Sequence, residues 1–105
     1  MIKARKQDFN ARVWNKIKRI PKGRVTTYWE VARALGSPRA VRAVGNALGR
    51  NLLAPQVPCH RVVKSNGGIG GYSGGLEIKI KLLAKEGVSV KNGKISGFNE
   101  IFYKF

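Results

Sequence analysis

The chain predicts a small, mainly α-helical domain: a helix-turn-helix of winged-helix-like type, a glycine-rich loop and a short C-terminal hairpin. Three observations carry that prediction. Apolar residues recur at helical spacing through the first half of the chain. The stretch 65–75 holds six glycines in eleven residues. Asn92-Gly93 stands near the C-terminus as a two-residue turn signal. With 105 residues there is room for a single domain, 1–105, around one modest core.

Taken in order, "DFNARVWNKIKRI" places Phe9, Val13, Ile17 and Ile20 on one stripe of an amphipathic helix, with Asp8 as its N-cap and "PKG" as its stop. In "TYWE", Thr27 and Glu30 form a capping box, so a second helix starts at Tyr28 and buries Val31, Ala32 and Leu35, with Gly36 at its C′ position. Ser37 then caps a third helix with Pro38 in its first turn, burying Val41, Val44 and Leu48 and turning Arg39, Arg42 and Asn46 outward. Two short helices about a tight turn, the second with a basic outer face, make the helix-turn-helix pattern. "NLLAPQVPCHRVVK" carries two prolines and reads as extended or turned, and "SNGGIGGYSGG" as a loop. "LEIKIKLLAKEG" is a further helix from about Leu76, burying Leu76, Ile80, Leu83 and Leu82 and stopping at Gly87. No residue pattern assigns "ISGFNEIFYKF".

Twenty-one Lys and Arg against five Asp and Glu give a net charge of +16, which suits a polyanionic partner. Residues 31–76 hold six basic side chains and no acid. No apolar run is long enough for a membrane helix, and "MIKARKQDFN" lacks a signal-peptide core, so an intracellular, cytoplasmic protein with no membrane partner is expected. One cysteine and one histidine make neither an intrachain disulfide nor a four-ligand zinc site, so no metal is expected.

That cysteine and histidine are adjacent, in "PCHRV". Free cysteine is commonly a small buried hydrophobe, yet His60, Arg61 and Lys64 are the neighbours that make a thiol nucleophilic. In an extended strand Cys59 and His60 would face opposite ways, so direct cooperation needs a turn or a bridging water. The residues alone leave both readings open. The glycine-rich loop lacks the Gly-Lys-Ser/Thr ending of a phosphate-binding loop, which argues against nucleotide binding.

"PKGRVTTYWEVARALGSPRAVRAVGNALGRN", "VPCHRVV" and "GGYSGGLEIKIKLLAKEGV" together closely resemble the C-terminal domain of the O6-alkylguanine-DNA alkyltransferases, over roughly residues 9–88. The resemblance implies an irreversible, single-turnover transfer of an alkyl group from guanine O6 in duplex DNA to Cys59, with no cofactor, by a protein that acts as a monomer. It implies that His60 activates Cys59 through a water, that Glu86 orients His60, and that Tyr28 helps protonate the departing guanine. Arg42 is expected to enter the base stack when the damaged nucleotide is flipped out, with Arg39, Asn46, Arg50 and Thr27 on the DNA-binding surface. Asn51 would brace the recognition helix against the cysteine segment, Tyr72 and Ser73 would line the base pocket, and the Val62 carbonyl would meet the guanine amine. Two features depart from the family. Longer members carry a separate N-terminal domain with no counterpart here, as in a minimal member or a fragment. "LLAPQV" also follows Asn51 where the family more often has a proline at once. The alternative reading is a module that binds alkylguanine without reacting and recruits other factors, but known proteins of that kind replace the acceptor cysteine. A basic helix-turn-helix regulator with an inert cysteine is the third.

Overall fold

The computed structural model of the protein describes residues 5–51 and 55–105. Among the described residues, five helices and two pairs of very short strands follow one another: α1 Arg5–Ile17, β1 Thr26–Thr27, α2 Tyr28–Ala34, α3 Val41–Gly49, a 3₁₀ turn Cys59–Arg61, β2 Val62–Val63, α4 Leu76–Lys85, β3 Val90–Lys91, β4 Lys94–Ile95 and α5 Phe98–Ile101. β1 and β2 are parallel, Thr26 beside Val62 and Thr27 beside Val63. β3 and β4 form the antiparallel hairpin that Asn92-Gly93 predicts, both turn residues taking the positive φ that a type I′ turn requires.

The helix-turn-helix is present, with its boundaries moved. α1 begins at Arg5, so Asp8 lies inside the helix and is not its cap; Arg5, Lys6 and Gln7 are good helix formers and extend it backward. Ile20 is buried just past the helix end. Thr27 caps α2 as expected, its Oγ1 accepting from the Glu30 N–H at 3.0 Å. The reciprocal half of the capping box is not made, because the Glu30 carboxylate binds the Arg33 guanidinium and the Phe105 N–H. Ser37 does not cap α3. Residues 37–40 make a turn of their own, Ala40 N–H to Ser37 carbonyl at 2.8 Å, and α3 starts at Val41 with Ala40 as N-cap. Arg39 therefore sits in the turn and not on the helix.

The first core cluster packs Val13 and Ile17 of α1 against Val31 and Ala32 of α2 and Val44, Ala47 and Leu48 of α3, with Val57, Cys59 and Val62 beneath. Trp14 Nε1 ties α1 to α3 by donating to the Ala47 carbonyl. The second cluster, Val25, Val63, Ile69, Leu83, Val88 and Ile95, joins β1 and β2 to α4 and the hairpin. α4 corrects the sequence reading: it buries Lys79 and Leu83, while Leu76 and Ile80 are exposed. The C-terminal residues add an isolated parallel bridge, Phe102 beside Val25, just before β1. Val25 N–H donates to the Ile101 carbonyl and accepts at its own carbonyl from Tyr103 N–H. Residues 52–54, the first three of "LLAPQV" after Asn51, lie outside the described residues.

Candidate active site

Cys59 opens the 3₁₀ turn that follows Pro58. That turn breaks the alternation of an extended strand and lets adjacent residues belong to one site. Cys59 is buried but lies on the wall of a cavity of about 970 Å³, shared with Tyr28, Trp29, Arg42, Asn46, Lys64, Tyr72 and Ser73 among others. Asn51 Nδ2 donates to the Val57 carbonyl at 2.8 Å and to Cys59 Sγ at 3.3 Å, holding the sulfur against the end of α3.

Behind the cysteine, the fully buried His60 turns Nε2 toward Glu86 Oε2 at 3.0 Å, and Nδ1 has no hydrogen-bond partner among the described residues. Arg61 holds the same carboxylate through Nε and Nη2 and reaches the Ile20 carbonyl through Nη1. Burial pushes Glu86 up, but the hydrogen bonds from Arg61 and His60 outweigh it and hold the carboxyl below its ordinary range. Burial lowers His60, against the pull of Glu86. The imidazole is thus kept neutral, with one nitrogen anchored and the other available as a base.

Tyr28, the first residue of α2, stands over the cavity. Burial raises its hydroxyl pKa, a backbone hydrogen bond from Gly71 lowers it, and a charged Cys59 raises it, for a net rise, so Tyr28 is a proton-bearing group at neutral pH. Gly70 makes room for it: a Cβ there would fall 2.6 Å from Tyr28 Oη. Tyr72 is likewise raised, by burial first and by Cys59 second.

The wall itself depends on a residue with no sequence signal. Lys79 is completely buried, and its Nζ donates to three carbonyls, Val62 at 2.8 Å, Ile69 at 2.6 Å and Gly71 at 3.0 Å. It pins β2 and both parts of the glycine-rich loop to α4, and burial pushes it down to about 8. A lysine inside an apolar helical stripe looks like a solvated charge, so only the tertiary arrangement reveals it.

Of the residues singled out in the sequence, Cys59, Tyr28, Arg42, Asn46, Tyr72 and Ser73 share the cavity. His60 and Glu86 stand behind the cysteine, Asn51 beside it, and Val62 offers its carbonyl to Lys79. Arg50 is exposed at the C-cap of α3 and Arg39 is exposed in the preceding turn, both outside the cavity lining. Thr27 is buried with its hydroxyl committed to the cap, so it presents no free group to a surface ligand. Among the described residues, no group of His, Cys, Asp and Glu could hold a metal ion, and no helix is long and apolar enough to cross a membrane.

Fold and site together define a helix-turn-helix domain whose cavity wall carries one cysteine, with an anchored histidine behind it. A family model described as 6-O-methylguanine DNA methyltransferase, DNA binding domain, matches residues 8–88, and the chain belongs to that family. The methylated-DNA–protein-cysteine methyltransferase of Methanosarcina acetivorans is 51% identical over 80 residues, covering 76% of this chain and 51% of the relative. Among solved structures, Mycobacterium tuberculosis OGT in complex with DNA superposes with a TM-score of 0.74 at 46% identity, over 76% of this chain and 49% of that one. S. pombe Atl1 in complex with damaged DNA containing O6-carboxymethylguanine superposes with a TM-score of 0.84 at 30% identity, over 99% of this chain and all of that one. The chain spans about half the length of the curated relatives it matches.

Proposed function

We propose that the protein repairs duplex DNA by transferring the alkyl group of O6-alkylguanine to Cys59 Sγ, once per molecule. The carrying observation is the position of Cys59 on the wall of a cavity that also holds Tyr28 and opens beside Arg42 and Asn46 of α3. A stacked base cannot present O6 to a sulfur inside a protein, so the nucleotide swings out into the cavity and Arg42 fills the space it leaves. A water between Cys59 and His60 Nδ1 takes the thiol proton to the imidazole, and Glu86 stabilises the imidazolium through Nε2. The sulfur electron pair attacks the alkyl carbon, the C–S bond forms as the C–O6 bond breaks, and the electron pair leaves on guanine. Tyr28 donates a hydrogen bond to that base, offsetting its developing negative charge. The thioether has no hydrolytic exit, so turnover stops. The Val62 carbonyl, which accepts from Lys79, would also meet the guanine amine. Such a protein works where chromosomal DNA is, and an unpaired thiol suits the reducing cytoplasm.

Intact mass after mixing with methylated-guanine duplex tests the reading. A stoichiometric gain of one methyl group, absent from Cys59→Ala, is expected; no gain would refute transfer. The Atl1 likeness, which runs the whole length of that protein, favours a second reading of binding without reaction. Tight, damage-selective binding with no mass gain is its signature.

A further inference from the structure

α3 bounds one part of the cavity with Arg42, Gly45, Asn46 and Gly49. A different part of the rim is built from the turn after β2 and from the hairpin: Lys64, Ser65, Gly68 and Gly93 also line the cavity. The hairpin is joined to this rim by Ile69 N–H to the Gly93 carbonyl at 2.9 Å, Ile95 N–H to the Gly67 carbonyl at 2.8 Å, and an antiparallel bridge between Gly68 and Lys94. Lys64 flanks the same Gly68, its Cδ 3.4 Å from where a Cβ would stand.

Lys91 and Lys94 are exposed and directly opposite each other across the pair that closes the turn. Like charges facing across a strand pair repel. Neither lysine, nor Lys64, has an ion-pair partner among the described residues, so the repulsion is uncompensated in the free protein. Lys64 lines the cavity and Lys91 and Lys94 stand on either side of the lining residue Gly93, so these cations, on elements separate from α3, are placed for a polyanion.

We propose that Lys91 and Lys94, with Lys64, form a second phosphate-contact surface that holds the backbone of the DNA strand bearing the extruded nucleotide. The proposal rests on the reading that the chain binds duplex DNA. α3 then supplies one grip and the hairpin another, so the strand is held at two parts of the rim of the cavity its base must enter. The hairpin's backbone bonds to the glycine-rich loop make the second grip rigid with respect to the pocket wall.

The test compares the wild type, Lys91→Gln/Lys94→Gln, and a charge-matched control, Lys81→Gln/Lys85→Gln, whose residues are exposed on α4 and do not line the cavity. Affinity for an undamaged duplex is measured by fluorescence anisotropy across a salt series. Each phosphate contact contributes about 0.9 to the slope of log K against log salt. The hairpin variant is expected to lose about 1.8 from the slope and the control to keep it. Because the substitutions remove a repulsion, the hairpin variant should also melt no lower than the wild type. An unchanged slope, or an equal loss in the control, overturns the hairpin contact while leaving DNA binding in place. Salt-indifferent binding by the wild type would instead remove the DNA reading on which the proposal stands.

Discussion

Arg61 grips both carboxylate oxygens of Glu86, Nε to Oε1 at 2.9 Å and Nη2 to Oε2 at 2.6 Å. Both side chains are nearly buried, at 12% and 10% exposure, so removing Arg61 leaves the Glu86 carboxylate without its cation and with only the His60 contact. Breaking such a pair costs about 3–5 kcal/mol. Arg61→Ala should therefore lower stability to urea by roughly 3 kcal/mol. Arg61→Lys should recover only part of that, because an ammonium cannot make the forked contact or reach Ile20 as well. Full recovery by Lys would show that charge alone matters.

Acid should weaken the fold through the same cluster. His60 and Glu86 both have folded-state pKa values below their ordinary ones, so the unfolded chain binds more protons as pH falls. Their contribution is whole above the ordinary histidine value of about 6.5. It declines first as His60 is forced to protonate, then as Glu86 does. Melting temperature should fall from pH 7 to pH 5 as His60 is forced to protonate and fall further below about pH 4.5 as Glu86 is, and Glu86→Gln should flatten only that second, more acidic part. A melting temperature that rises on acidification would contradict the neutral buried imidazole.

Arg42 lines the cavity on the exposed face of α3, and its role in flipping separates two substrates. Arg42→Ala should slow repair of methylated duplex by tenfold or more, since extruding a base costs a few kcal/mol and each 1.4 kcal/mol is a factor of about ten. With the free base O6-benzylguanine, which needs no extrusion, the loss should be small. Tyr28→Phe should slow both. Equal losses on both substrates for Arg42→Ala would refute the flipping role.

Lys79→Met keeps the length of the side chain and removes the ammonium, leaving the carbonyls of Val62, Ile69 and Gly71 without their donor. Each unsatisfied carbonyl costs about 1–3 kcal/mol, so the loop should rearrange to hydrate them. Transfer should fall at least tenfold on duplex and on the free base alike, while affinity for undamaged duplex, carried by phosphate contacts of exposed side chains, should fall less. A variant with wild-type rates would show that the wall stands without the lysine.

The sequence was most legible where chemistry is local. Thr27 capping α2, Gly36 after it and the Asn92-Gly93 turn are fixed by neighbours a few residues apart, and each stands where the spacing puts it. The side chains around Cys59 became legible through several separated motifs taken together, because no single one distinguishes a reactive thiol from a buried one. What stayed hidden depends on distant partners. Glu30 forgoes its box for Phe105, 75 residues away. Arg61 reads as a bystander until Glu86 and Ile20 arrive beside it. Lys79 lies four residues before the buried Leu83, on the inward face of α4, yet its charge assigns it outward under any hydropathy rule. The apolar Leu76 and Ile80 are then read as core when they are exposed.

The C-terminal pairing with Val25 also bears on the order in which a nascent chain can be assembled. α1, α2 and α3 are neighbours in sequence and need nothing beyond residue 49 to meet. β1 is different: its flank is completed only when Val25 and Thr26 receive Ile101 and Tyr103, about three quarters of the chain later. Contacts of long sequence separation form slowly. The helical half can therefore be compact while the segment leading into Tyr28 still lacks its neighbour on one flank, so that flank settles after the three helices have met.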